Sequence, residues 1–314
     1  MERAALVTGA NGFVGRILCS YLADRGWRVR GGVFGAEPAS EAEAVCDVAR
    51  RDDVARLVDW AGPITHVFHL AARTFVPDSI QSPAACMAVN IEGTVHVLDV
   101  VRERVPEARV VYVGSAGAYG QPQTLPVTED HPLNPLNPYD ISKAAADQYC
   151  AFFHEATGLD VIRTRPFNHS GPGQSELFVL PAFARQLARI EAGLAPPTFR
   201  VGNLDKARDF LHVNDVVAAY EAVAVRGAGG RVYNICCGQS TPIRAALDGL
   251  LALTDVEVEV VVDEGLLRPV DAADVVGSHD RITADTGWRP AIPFEGILRD
   301  LLEEWRGRVG GGTA

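Results

Sequence analysis

Tyr139 and Lys143 stand four residues apart in NPYDISKAAADQY (137–149). That is one helical turn, so on a helix both side chains share a face. A phenol titrates near ~10 and is a poor base at neutral pH. An ammonium ~5 Å away, at an effective dielectric of ~20, favours the phenolate by roughly 3 kcal/mol, about two pKa units. The pair therefore predicts a Tyr139 of lowered pKa that exchanges a proton with a substrate hydroxyl. Ser115, in VGSAGAYG (113–120), stands at the end of an apolar run, where its hydroxyl could bond the reacting oxygen. The plainer readings are a solvated helix face and a capping serine. The chemistry needs a partner that takes or gives a hydride.

That partner is suggested by TGANGFVG (8–15), which follows the apolar run Ala4–Val7. Gly9 suits a tight turn, Gly12 lets backbone approach a pyrophosphate, and Gly15 lets a helix pack near the strand. The helix N-terminus offers free N–H groups to phosphate. We expect Gly9, Asn11, Gly12, Phe13, Val14 and Gly15 to cradle NAD or NADP. An ordinary strand-to-helix turn is the plainer alternative. Asp47 and Val48, after a later strand, are candidates for the adenine. Leu70, Ala71 and Ala72 in HLAA (69–72) are small or apolar enough for a cofactor to cross that strand's end. The acid that usually binds the ribose 2′-OH of NAD is missing, since RVRGGVFGAEP (28–38) places Val33 and Phe34 there. Arg16 and Arg30 are candidates for a 2′-phosphate.

The elements that would position these groups alternate. Strand candidates are residues 4–8, 28–33, 44–46, 66–71, 110–114 and 161–164. Segments of helical spacing separate them, such as Ile17, Leu18, Tyr21 and Leu22, with Gly26 as a stop. Buried strands alternating with helices predict an α/β fold, a Rossmann-like doubly wound parallel sheet. A smaller mixed α/β domain is expected against it. We assign residues 1–165 and about 206–240 to the first domain, and about 166–205 and 241–306 to the second. Later expectations are helices near 181–192 and 298–305, strands at 231–235 and 256–262, and a flexible tail over 307–314.

The chain has 314 residues, a net charge of −11 and 47% hydrophobic residues, a globular composition. The acidity argues against general nucleic-acid or anionic-membrane binding. No apolar run approaches the ~20 residues of a membrane span, and no signal peptide is expected. The six cysteines show no metal-ligand or disulfide spacing, which predicts reduced thiols, no metal and a cytoplasmic setting. Cys236-Cys237 reads as two ordinary strand residues.

Together TGANGFVG, HLAA, Asn90 in VNIEGT, Ser115 and YDISK resemble the extended short-chain dehydrogenase/reductase family, the NAD-dependent epimerase/dehydratases of nucleotide sugars. RTRPFNHSGPGQ (163–174), VGNLDKARDFLHVND (201–215) and LRP (267–269) are most similar to enzymes of GDP-mannose and its derivatives, especially the GDP-4-keto-6-deoxy-mannose reductases. The resemblance implies a nucleotide-diphosphate-sugar substrate and a substrate-binding second domain. It makes Ser115, Tyr139 and Lys143 catalytic, with Asn90 and Pro166 in the cofactor set. It implies that Asn168, Val179, Arg208 and Arg268 bind substrate. It also implies a homodimer through helices near 83–104 and 139–157.

Family dehydratases place a Glu two residues after the Ser115 position, and the similar reductases keep a Glu there too; here it is Gly117. A 4,6-dehydratase is therefore not expected. Ser-Ala-Gly-Ala-Tyr resembles the 4-epimerases, so the main expectation is a 4-epimerase of a manno-type sugar, working through a transient 4-ketose. The alternatives are an NAD(P)H-dependent 4-keto reductase and a catalytically silent NADP-binding redox sensor.

Overall fold

A computed structural model of the chain describes residues 3–266 and 274–311. Six strands follow the alternating pattern: β1 (Ala4–Thr8), β2 (Arg28–Val33), β3 (Glu43–Val45), β4 (His66–His69), β5 (Arg109–Val113) and β6 (Val161–Pro166). With the later strand Val232–Ile235 they form one parallel sheet, in the order β3-β2-β1-β4-β5-β6 and then Val232–Ile235.

Successive residues of each strand feed opposite faces. On β1, Ala5 and Val7 enter one core, with Phe68, Val111 and Ile162 from neighbouring strands; Leu6 enters the other, with Val67, Val110 and Val161. The first core is closed by α1 (Phe13–Asp24) and by α8 (Val213–Arg226). The second is closed by α2 (Arg51–Ala61), α5 (Gly93–Arg104) and α6 (Pro138–Thr157). Burying each such Val or Leu contributes about 1.5–3 kcal/mol before chain entropy is counted. This is the doubly wound sheet that the alternation implied.

Two short helices, α3 (Val76–Gln81) and α4 (Pro83–Met87), precede α5. A π-helical turn, Ala88–Glu92, joins α4 to α5 in one 22-residue helix. By length and mean composition alone that helix could cross a membrane, but Asn90, Glu92, His96 and Asp99 interrupt it, so it holds no apolar run of that length. Its apolar residues have another use: Val97, Leu98, Val100 and Val101 pack under the sheet.

A separate core joins α7 (Val179–Glu191), α9 (Ile243–Leu251) and α11 (Phe294–Gly310) to the parallel strand pair Thr198–Val201 and Glu259–Val262. Four expectations change here. The last helix is longer than residues 298–305, and residues 307–310 are helical rather than tail. Buried Val309 continues the Ile297, Leu301, Trp305 stripe, and its packing overrides the low helix propensity of the glycines. Ile282 on α10 (Asp280–Thr286) and Trp288 pack into the first sheet core, so the chain returns to the Rossmann-like unit inside the segment assigned to the second domain. Cys236 and Cys237 follow the strand Val232–Ile235 instead of lying in it.

Candidate active site

From β1 the chain runs outwards through β2 and β3, then crosses to β4 on the other side of β1. The crevice of an open parallel sheet lies at that switch point, beyond the C-terminal ends of the strands. The glycine loop follows β1, and Leu70–Ala72 follows β4. Gly9 has φ +72°, and a Cβ there would lie 2.9 Å from both the Cα and the N of Ala71. At Gly15 a Cβ would stand 2.1 Å from the Gly9 carbonyl oxygen. Only hydrogen fits at either place. Gly12 is the N-cap of α1; no side chain caps the helix and its first turn carries no acid. The N–H groups of Phe13, Val14 and Gly15 lack partners one turn back in the helix. The cradle therefore fits a pyrophosphate.

Asn11 ties this loop to the end of β2: its amide donates to the Phe34 carbonyl at 2.8 Å and accepts from the Phe34 N–H at 3.4 Å. Arg16, exposed at the loop's edge, donates to the Asn11 carbonyl at 2.6 Å. Arg30 instead lies over the Trp60 ring of α2, 5.3 Å from its centroid. Of the two arginines, Arg16 is the one beside the loop. Asp47 folds back to accept from the Ala49 N–H, and Val48 is buried against Gly93 of α5. Ala71 donates its N–H to the Thr8 hydroxyl, which is bonded to His69 Nδ1 at 2.8 Å; His69 Nε2 meets Thr94 at 3.1 Å. Burial lowers the His69 pKa to about 3, so this clamp of β1, β4 and α5 is neutral.

Ser115 and Tyr139 lie side by side, and Lys143 stands one turn further along α6. Ser115 caps the 3-10 turn Ala116–Tyr119, accepting from the Gly117 N–H at 3.0 Å, so the capping reading and the site reading both hold. Its hydroxyl is also hydrogen-bonded to the Tyr139 phenol. Asn137 caps α6 and starts the helix that carries Tyr139 and Lys143. Lys143 lies under the pair, donating to the Val113 carbonyl at 2.7 Å. Burial lowers its pKa to about 8.

The expected lowering of Tyr139 does not occur in this structure. Burial pushes the phenol up to about 12, and neighbouring Asp140 adds to the rise. The Lys143 ammonium is turned to the Val113 carbonyl and is not among the groups that act on Tyr139.

Asn90 sits behind the site. Its carbonyl accepts from the Arg73 N–H at 2.8 Å, and its amide donates to the Arg73 carbonyl and to Ser142 of α6. It holds the segment after β4 against the helix of Tyr139, and its polar atoms are used in doing so. Pro166 is buried at the end of β6. Beyond it Asn168 is exposed, on a short strand, Asn168–Ser170, paired with Phe210–His212. Val179 begins α7 and is 37% exposed. Arg208 is half-buried on a short strand, donating to the Ala207 carbonyl at 2.7 Å. Arg268 lies outside the described residues. Sequence reasoning missed His169, which stacks on Phe13 of the glycine loop with ring centroids 6.3 Å apart. No spacing rule links positions 13 and 169; only the fold brings them together.

Comparison with known proteins agrees with this architecture. The GDP-mannose 4,6 dehydratase family model matches residues 6–301. The chain is 37% identical to GDP-6-deoxy-D-mannose reductase of Pseudomonas aeruginosa, over 98% of this chain and 99% of that one. It is 30% identical to UDP-glucose 4-epimerase of Mycolicibacterium smegmatis, over 94% of this chain and 96% of the relative. The solved structure of RMD from Pseudomonas aeruginosa complexed with NADPH superposes with a TM-score of 0.87 at 36% identity, covering 98% of this chain and 99% of that one. A likeness running from the glycine loop into α11, over nearly the full length of both chains, is one of descent: the protein belongs to the GDP-mannose 4,6-dehydratase family of extended short-chain dehydrogenases/reductases.

Proposed function

We propose that the protein is an NADPH-dependent reductase of the 4-keto group of a GDP-4-keto-6-deoxy-hexose. The observation that carries this reading is the near full-length likeness to a GDP-6-deoxy-D-mannose reductase, 37% identity over 98% of this chain. Reduction of a ketone needs a proton donor at the oxygen, and a phenol held near 12 keeps its proton at neutral pH. Bound NADPH supplies the hydride. Ser115 and Tyr139 bond the carbonyl oxygen from one side, and Tyr139 gives its proton to the oxygen as negative charge builds there. Lys143, still protonated below about 8, stabilises the phenolate left behind. Arg208 and Asn168 stand on the facing segment as candidates for the nucleotide diphosphate, Arg208 for its charge.

Two further observations support the reading. Residues 33–35 offer no carboxylate to a ribose, while Arg16 is held on the glycine loop at the carbonyl of Asn11, whose side chain bonds Phe34, which suits a 2′-phosphate. The identity to a GDP-6-deoxy-D-mannose reductase also exceeds that to the epimerase. This replaces 4-epimerisation as the leading expectation. The epimerase remains as a second reading because the turn Ser115-Ala116-Gly117 has no carboxylate of its own and the epimerase relative covers most of the chain. The experiment is to mix the enzyme with NADPH and the 4-keto sugar. A reductase consumes both mole for mole; an epimerase interconverts 4-hydroxy sugars with no net change in the cofactor.

A further inference from the structure

Gly117 lacks a side chain, yet the space beside it is filled. A Cβ built there would lie 1.9 Å from Asp140 Oδ1 and 2.6 Å from Asp140 Cγ. The carboxyl that position 117 does not carry thus stands over it from α6, one residue after Tyr139. Gly117 is bonded in turn to Ser115, and Ser115 to Tyr139, so this carboxyl borders the groups that meet the carbonyl.

The two oxygens of Asp140 differ. Oδ2 accepts from the Asn137 side chain, and the Asp140 N–H donates to Asn137 Oδ1 at 3.0 Å. That reciprocal pair caps the helix and accounts for one oxygen. Oδ1 has no hydrogen-bond partner and Asp140 makes no ion pair among the described residues. The charged or titratable group acting on its surroundings from α6 is Tyr139; the facing turn contributes Ser115 and Gly117, which carry no charge. Burial raises the Asp140 pKa to about 6. An acceptor kept unpaired beside a reaction centre awaits a donor.

We propose that Asp140 contacts the substrate, its Oδ1 accepting a hydrogen bond from the hydroxyl next to the reacting carbonyl. The chemistry of the ketone selects that hydroxyl. In a 4-keto-6-deoxy-hexose, C4 is flanked by C3, which carries a hydroxyl, and by C5, which carries a methyl group and the ring oxygen. A carboxylate beside C4 has one adjacent donor, the C3 hydroxyl. This contact fixes the rotation of the sugar, so that the same face of C4 meets the hydride each time. It rests on the reductase reading, and deepens it by naming the group that discriminates among keto sugars.

The test compares wild type, Asp140→Asn and the double variant Gly117→Glu with Asp140→Gly. Each is assayed with NADPH on the 4-keto sugar and on its 3-deoxy analogue. Wild type should prefer the hydroxylated sugar by roughly 10–100-fold in kcat/KM, the range for a hydrogen bond to a charged group. Asp140→Asn should lose most of that preference while binding NADPH as wild type does. The double variant, which returns a carboxylate from position 117, should regain part of it. An acid limb of kcat/KM near pH 6 should be present in wild type and absent in Asp140→Asn. If Asp140 serves the helix cap alone, Asp140→Asn lowers Tm and keeps the full preference, which overturns the proposal. Wild type that leaves NADPH untouched with the 4-keto sugar overturns the reductase reading instead, and with it this contact.

Discussion

The two sides of the cleft are built from different materials. On the glycine-loop side the constraints are backbone: a φ of +72° at Gly9, carbonyl and Cα atoms where a Cβ would go, and a helix start with no cap of its own. On the facing side, residues 166–210 present side chains from short strands and a helix N-terminus, as with Asn168, Arg208 and Val179. Backbone constraints tolerate almost no substitution, and they serve any dinucleotide. Side chains on short segments can be exchanged, and on the function proposed they choose the substrate. Between the two stands Tyr139, on a long helix packed into the sheet core and so belonging to the rigid side.

This contrast predicts how each region fails. Tyr139→Phe removes the proton donor while the cradle stays intact. Its turnover should fall by about 10²–10⁴-fold, with NADPH affinity unchanged by fluorescence titration. A redox sensor would keep its output in the same variant. Gly15→Ala puts a methyl group into the Gly9 carbonyl, and backbone cannot swing aside. NADPH affinity should weaken by about 10²-fold, roughly 3 kcal/mol, as read by calorimetry. Near-normal affinity would show that the loop shifts freely and that the rigid side is not rigid. Arg208→Ala should do the converse, raising KM for the GDP-sugar by about 10–100-fold and leaving NADPH affinity alone.

The smallest effect expected is in pH. Burial has lowered the Lys143 pKa from 10.5 to about 8, and the protonated form is the one that supports the phenolate. Above the acid limb that Asp140 sets near pH 6, activity is therefore held up to about pH 8 and lost beyond it. In the free enzyme kcat/KM should fall about fivefold between pH 8 and 9. Lys143→Arg, which does not titrate in this range, should be slower and lack the alkaline limb.

Why one side was legible in the sequence follows from the same contrast. β1 is found at the bounds expected, because a strand buried on both faces carries an uninterrupted apolar run and Gly9 marks its end; β2, RVRGGV, is also found at its expected bounds, although only its second half is buried. Tyr139 and Lys143 are one turn apart on any helix, so their shared face needed no tertiary knowledge. The direction of the Tyr139 shift did need it: the spacing shows the ammonium, whereas burial and the Val113 carbonyl appear only in the fold. Asp140 shows the limit most clearly. In sequence it is the residue after a tyrosine, 23 positions from Gly117; in space its carboxyl replaces that glycine's side chain. Val309 teaches a similar lesson at the C-terminus. A glycine-rich tail reads as flexible until a buried valine is seen to hold its first turn.

The central claim is that the cleft reduces a ketone rather than inverting an alcohol. The direct test is to follow nicotinamide absorbance and the sugar product together, with NADPH and a GDP-4-keto-6-deoxy-hexose in equal amounts. The account predicts that NADPH disappears mole for mole with the ketone and that a single 4-hydroxy stereoisomer forms. Unchanged NADPH, with a 4-hydroxy sugar offered in the same assay converted to its C4 epimer, would contradict it.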